Sequence, residues 1–149
     1  MIIQVVSAFF ATYLFSIIFN ISKRQLLFCG ICGAVGWCIY LISLPLNSVV
    51  LSTFLGALAV RILAQIFAVI RKTPVTVFLI AGIIPLVPGA VLYQAIYYIA
   101  QGEYDNVTLY GLQSLKLAGA IAVAMVLVSS TYRPRRIKRE NNGLCSKNK

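Results

Sequence analysis

The chain contains no histidine, and its acidic residues number three, Glu103, Asp105 and Glu140. Without histidine the commonest general acid-base group and the commonest metal-binding nitrogen are both missing. No hydrolase nucleophile elbow, P-loop or dinucleotide fingerprint is present either. An enzyme is therefore not expected, nor is a cofactor or a bound metal. Charge of any sign is scarce, with 11% of residues charged against 60% apolar, and a soluble domain would have too little polar surface to cover such a composition. A disulfide framework is also absent: Cys29, Cys32 and Cys38 fall in apolar sequence and Cys145 in a basic stretch. Cys29 and Cys32 have the C-x-x-C spacing, but no second pair accompanies them, and they are read as small buried apolar side chains. The N-terminus has neither the basic residues nor the small-x-small site of a cleaved signal, and is read as a retained first helix.

What the sequence has in quantity is apolar runs. A bilayer core of about 30 Å takes about 20 helical residues to cross, and five runs near that length occupy residues 1–21, 26–46, 48–70, 75–100 and 107–130. They predict an all-α integral membrane protein of about five transmembrane helices, with a helical membrane domain over 1–131 and a basic tail over 132–149. Seven of the thirteen Lys and Arg lie after Tyr132, so the net charge of +10 is a tail suited to anionic lipid headgroups rather than a face for nucleic acid. Basic residues favour cytoplasmic loops. Lys23 and Arg24, then Arg71 and Lys72, then the tail fall on one side, whereas Asn47, Glu103 and Asp105 fall on the other. The N-terminus is accordingly expected outside and the C-terminus in the cytoplasm.

Three features interrupt the apolar runs. Two prolines and a glycine, Pro85, Pro88 and Gly89, sit in the middle of the fourth run. Each proline removes a backbone donor, so the helix is expected to break there, with Gly89 permitting a sharp local geometry. A half-helix starting at that point directs free N–H groups and a positive dipole end into the membrane, where they attract a carboxylate. Arg61, ten residues before Arg71, and Lys116, nine residues after Val107, count to roughly 15 Å and 13 Å from their respective loops, which sets both near one depth. Gln65 lies one turn after Arg61 and Gln113 one turn before Lys116, so each cation shares a face with an amide. No acidic residue lies inside a run. The counter-charge is then a transported anion, a carboxylate on another chain, or backbone carbonyls and water.

Small residues form two further patterns. Gly30, Gly33, Ala34 and Trp37 make a stripe on the second run, and Ser52 with Gly56 a small-xxx-small pair on the third, both signatures of close helix packing. Gln4, Ser7, Ala11 and Thr12 give the first run a weakly polar face, consistent with a pathway or with packing. Tyr93 and Tyr97 share a face just past Gly89, and Tyr97, Tyr98 and Tyr104 suit an interfacial belt.

Several of these stretches together resemble the threonine/serine exporter family, specifically its small subunit. They are Ser22 to Gly36, Leu51-Ser52-Thr53-Phe54, Arg71-Lys72-Thr73-Pro74, and Ile84-Pro85-Leu86-Val87-Pro88-Gly89-Ala90 followed by Tyr93. The resemblance implies export of small carboxylate-bearing metabolites, threonine and serine or dicarboxylates such as succinate, driven by the proton gradient. It also implies a larger membrane partner subunit and a multi-pass location in the bacterial cytoplasmic (inner) membrane. Pro85, Pro88, Gly89 and Tyr93 enter the expected substrate site through the family pattern, while Arg61, Gln65, Gln113 and Lys116 enter it through depth alone. Two other functions fit the residues: a homo-oligomeric anion channel ringed by Arg61 or Lys116, and a membrane scaffold that works through its basic tail.

Overall fold

The computed structural model describes residues 1–46 and 48–131, so the tail expected from 132 onward lies outside the described residues. Six helices account for the regular structure: α1 (Ile2–Ile18), α2 (Leu26–Ser43), α3 (Val49–Arg71), α4 (Val75–Ile83), α5 (Gly89–Gln101) and α6 (Tyr104–Thr131). Short 3-10 turns follow α2 (Leu44–Leu46) and α4 (Ile84–Leu86). There is no strand among the described residues.

Chain punctuation explains where the helices stop. After α1, Asn20 takes a positive φ of 54°, and the amides of Asn20 and Ile21 donate back to the carbonyls of Ile17 and Ser16. This is the paired bonding of a left-handed helix terminus, and it ends the first helix at Ile18 rather than at the expected residue 21. Lys72 (φ 51°) and Gly102 (φ 77°) close α3 and α5 in the same way, with Thr73 donating to Ala68 and Glu103 to Tyr98. At the other end of α3, the Ser48 hydroxyl accepts from the Leu51 amide at 3.3 Å. Ser48→Ala is expected to destabilise the fold by about 1 kcal/mol, read as a shifted midpoint in denaturant titration in detergent micelles.

Packing follows the small residues. α1 lies against α2, and α2 against α3 and α4. A Cβ on Gly30 would come within 2.7 Å of the Phe9 ring, and one on Gly33 would collide with Thr12, so the expected stripe is where α1 seats. Thr12 and Ser16 are fully buried in this seam, and their hydroxyls donate to the carbonyls of Ala8 and Thr12 one turn back at 2.8 and 2.7 Å. The weakly polar face of α1 is thus partly a packing face. Cys29 and Cys32 are fully buried in a core with Ala64, Ala68, Phe78 and Ala81, as expected for small apolar side chains.

By length and composition α2, α3 and α6 each suffice to cross a membrane, and α4 with α5, bent by 54° at their break, are together long and apolar enough for a broken span or a re-entrant loop. α1, at 17 residues, is shorter, about 26 Å at 1.5 Å per residue. The last helix begins at Tyr104, one turn earlier than expected. Beyond the bend the arrangement changes character: α5 packs on α6 alone, and α6 packs on α5 and α3. The Tyr98 and Tyr110 rings stack at 5.3 Å across the α5–α6 hairpin.

Candidate functional site

The break between α4 and α5 is built by proline chemistry. Pro85 is the middle residue of the 3-10 turn and Pro88 immediately precedes α5. Val87 between them is extended, with φ −61° and ψ 130°. Neither proline has an N–H to continue an α-helical ladder. Gly89 turns out not to supply the bend, because Gly102 is the glycine with positive φ among the described residues. What Gly89 supplies is room: a Cβ built there meets nothing within 4 Å.

A cavity of about 240 Å³ opens at this break. Pro85, Pro88, Gly89, Ala90 and Val91 form one wall, and Trp37, Tyr40, Val49, Thr53 and Leu117 bring α2, α3 and α6 to the others. α5 has no side-chain cap. The Gly89 amide turns back to the Val87 carbonyl at 2.7 Å and the Leu92 amide donates to the Pro88 carbonyl at 3.0 Å. The amides of Ala90 and Val91, between them, have no acceptor among the described residues. Two free donors and a positive helix end therefore lie in the wall of a space lined mainly by apolar groups, an arrangement that suits an anion. Trp37 adds an indole Nε1 that is buried and also without an acceptor. Trp37 and Pro85 further line a second, more open cavity of about 310 Å³ with Gln4, Ser7 and Ala11 of α1, so the remaining polar residues of that helix do border a space at the break.

The other expected site residues lie elsewhere. The Arg61 guanidinium donates to Ser129 Oγ on α6 at 3.0 Å and to Gln65 Oε1 at 3.4 Å, while its Nε is buried without a partner among the described residues. Ser129 is thirteen residues beyond Lys116 in the sequence, about 20 Å along a helix. The two cations thus do not share a level, and Arg61 with Gln65 belongs to the α3–α6 seam rather than to the cavity. Lys116 is exposed even though its neighbour Leu117 is buried against the cavity. Gln113 is half-buried on α6. Tyr93 is 68% exposed and stacks on Tyr97 at 6.5 Å. Arg61→Gln is expected to leave the substrate concentration for half-maximal efflux unchanged, since the side chain is remote from the break.

Trp37, Tyr40 and Thr53 complete the cavity, and no property of their own sequence neighbourhood marks them as lining. Trp37 belongs to the stripe on the second run and Thr53 to the Leu51-Ser52-Thr53-Phe54 stretch, signals of packing and of family rather than of a cavity, and all three residues lie near Gly36 and Gly56, the glycines at which α2 and α3 approach closely. Gly36 and Gly56 lie against one another there: a Cβ on Gly56 would be 3.0 Å from the Gly36 carbonyl oxygen and 2.7 Å from a Leu86 methyl.

Helices long and apolar enough to cross a membrane, with one pair broken at two prolines beside a small cavity, make an arrangement that transporters use. The threonine/serine exporter (ThrE) family model matches residues 4–131, a region that contains every residue lining the cavity between α4 and α5, and the chain belongs to that family. No curated protein and no solved structure matches it.

Proposed function

We propose that this chain is the smaller component of a two-chain secondary transporter that exports small carboxylate-bearing metabolites. The substrates are hydroxy amino acids such as threonine and serine, or dicarboxylates such as succinate. The observation that carries the reading is the uncapped start of α5 in the cavity beside Pro85 and Pro88. In it the substrate carboxylate accepts from the Ala90 and Val91 amides, while Trp37, Tyr40 and Thr53 enclose the remainder. The size supports this, since about 240 Å³ falls below the roughly 300–1,000 Å³ of sites for drug-sized ligands.

The cavity lining has no carboxylate and no histidine, so coupling to a proton gradient calls on a titratable group of a larger partner chain. Five or fewer spans are also few for alternating access, which ordinarily moves one repeat or bundle against another. The basic loops and tail support a multi-pass placement in the bacterial cytoplasmic membrane, N-terminus outside and C-terminus inside.

The test is efflux of preloaded labelled threonine, serine and succinate from cells carrying this chain alone or together with a larger membrane protein of the same family. Efflux of at least one substrate is expected only with both chains. Absence of efflux for all three in either setting would end the exporter reading, and anion conductance by the purified chain alone would replace it with a channel.

A further inference from the structure

α6 is the longest helix among the described residues and the least covered of those long enough to cross a membrane, with 11% of its apolar stretch buried. Leu117 and Ala124 mark its inward side, both buried. The opposite side is a continuous open stripe of Leu112, Leu115, Lys116, Gly119, Val123 and Val126. At 3.6 residues per turn these six fall within about 100° of arc. The four apolar side chains are 54–69% exposed, Lys116 is exposed, and a Cβ on Gly119 would meet nothing within 4 Å.

Lys116 has no hydrogen-bond or ion-pair partner among the described residues. It lies twelve residues from Tyr104 and fifteen from Thr131, about 18 and 22 Å along the helix, beyond the reach of a four-carbon stem to either end. Glu103 accepts from Asn106 at 2.7 Å and Asp105 is in the first turn of α6, so the nearer acid is eleven residues away. A charge facing hydrocarbon within a span costs up to about 2.5–3.5 kcal/mol on insertion scales, the figure for the centre of a spanning helix. Burial against an apolar partner helix without a counter-charge would not remove that cost.

We propose that this stripe is the docking face for a transmembrane helix of a second, different chain, and that Lys116 pairs there with an Asp or Glu of that helix. A second copy of this chain fits poorly. A two-fold axis along the membrane normal would set the stripe against itself and Lys116 beside Lys116, with Glu103 and Asp105 left at the helix start. Gly119, one turn from Lys116, lets the incoming backbone approach closely, as small residues do between membrane helices. The inference rests on the reading of the chain as one part of a two-chain exporter, and it assigns the face and the chemistry of that contact.

A membrane-permeant carbodiimide joins an amine to a carboxylate only when the two touch, and so reads the contact directly. It is applied to membranes from cells co-expressing this chain with a larger protein of the same family, and linked peptides are identified by mass spectrometry. The expected product joins Lys116 to an Asp or Glu inside an apolar segment of the larger chain. It is lost in Lys116→Arg, which keeps the charge but is not coupled, while efflux is retained in Lys116→Arg and falls at least tenfold in Lys116→Glu. A Lys116 link between two copies of this chain, or efflux by the unsubstituted pair of chains without any Lys116 link, overturns the docking assignment and leaves the exporter reading in place. A link without efflux of any substrate supports the docking face and removes the exporter reading.

Discussion

Gly89→Leu is expected to reduce efflux of the transported substrate to background while the amount of protein in the membrane stays at the wild-type level. The two halves of this result have separate causes. The space around a Cβ at position 89 is empty to 4 Å and the backbone there is not left-handed, so a side chain can start from this position without backbone strain or an immediate clash. Gly89, Ala90 and Val91 line one cavity, so a leucine at position 89 occupies the space beside the free amides of Ala90 and Val91. A carboxylate would lose its two donors there. Hydrogen bonds to a charged group contribute about 1.5–3 kcal/mol each, so loss of both corresponds to about a hundredfold or more in transport at low substrate concentration. Gly89→Ala adds a methyl that does not reach across the amides and should retain most activity. Full efflux by the leucine variant, at normal protein abundance, would exclude the start of α5 as the carboxylate site.

The break itself was legible in the sequence because proline acts locally: two missing amide donors interrupt a helix whatever surrounds it. The glycine stripes were legible for a related reason, since a missing side chain on a membrane helix signals a neighbour drawn close. Depth was not legible in the same way. Arg61 was placed by counting inward from Arg71 and Lys116 by counting inward from Val107, which assumes that the two helices share a frame. In the structure α3 lies beside the second half of α6, with Val49 and Thr53 near Leu117 at one end and Arg61 bonded to Ser129 at the other. The two origins are therefore offset along the bundle, and two counts of similar length end at different levels. The azimuth of Lys116 was equally hidden, because composition is apolar on every side of a membrane helix and gives little sign of which face meets protein. The cavity walls from α2 and α3 are a tertiary property of the same kind, fixed by where Gly36 and Gly56 let the helices meet.

Those two glycines set the second large effect. Leu86, the last residue of the 3-10 turn at the break, is buried and lies in a notch between them. A Cβ on Gly36 would collide with Val60 and stand 3.2 Å from one Leu86 methyl, and a Cβ on Gly56 would stand 2.7 Å from the other. The notch thus holds the segment that carries Pro85 and Pro88, and α2–α3 packing and cavity geometry are one mechanical unit. Gly56→Leu is expected to lower stability by about 1–3 kcal/mol through overpacking and to abolish efflux as well, in contrast to Gly89→Leu, which affects efflux alone. Unfolding midpoints in micelles together with efflux per unit protein distinguish the two patterns. The cause can be isolated by pairing Gly56→Ala with Leu86→Ala, since the smaller side chain at 86 vacates the space that the new methyl needs. The double variant should be more stable than the sum of the single effects by about 0.5–3 kcal/mol, the range of coupling between residues in contact. Strict additivity would mean that Gly56 matters through its approach to the Gly36 carbonyl instead, and that the turn at Pro85 is held in place by the α4 packing of Phe78 and Ala81 rather than by the glycine notch.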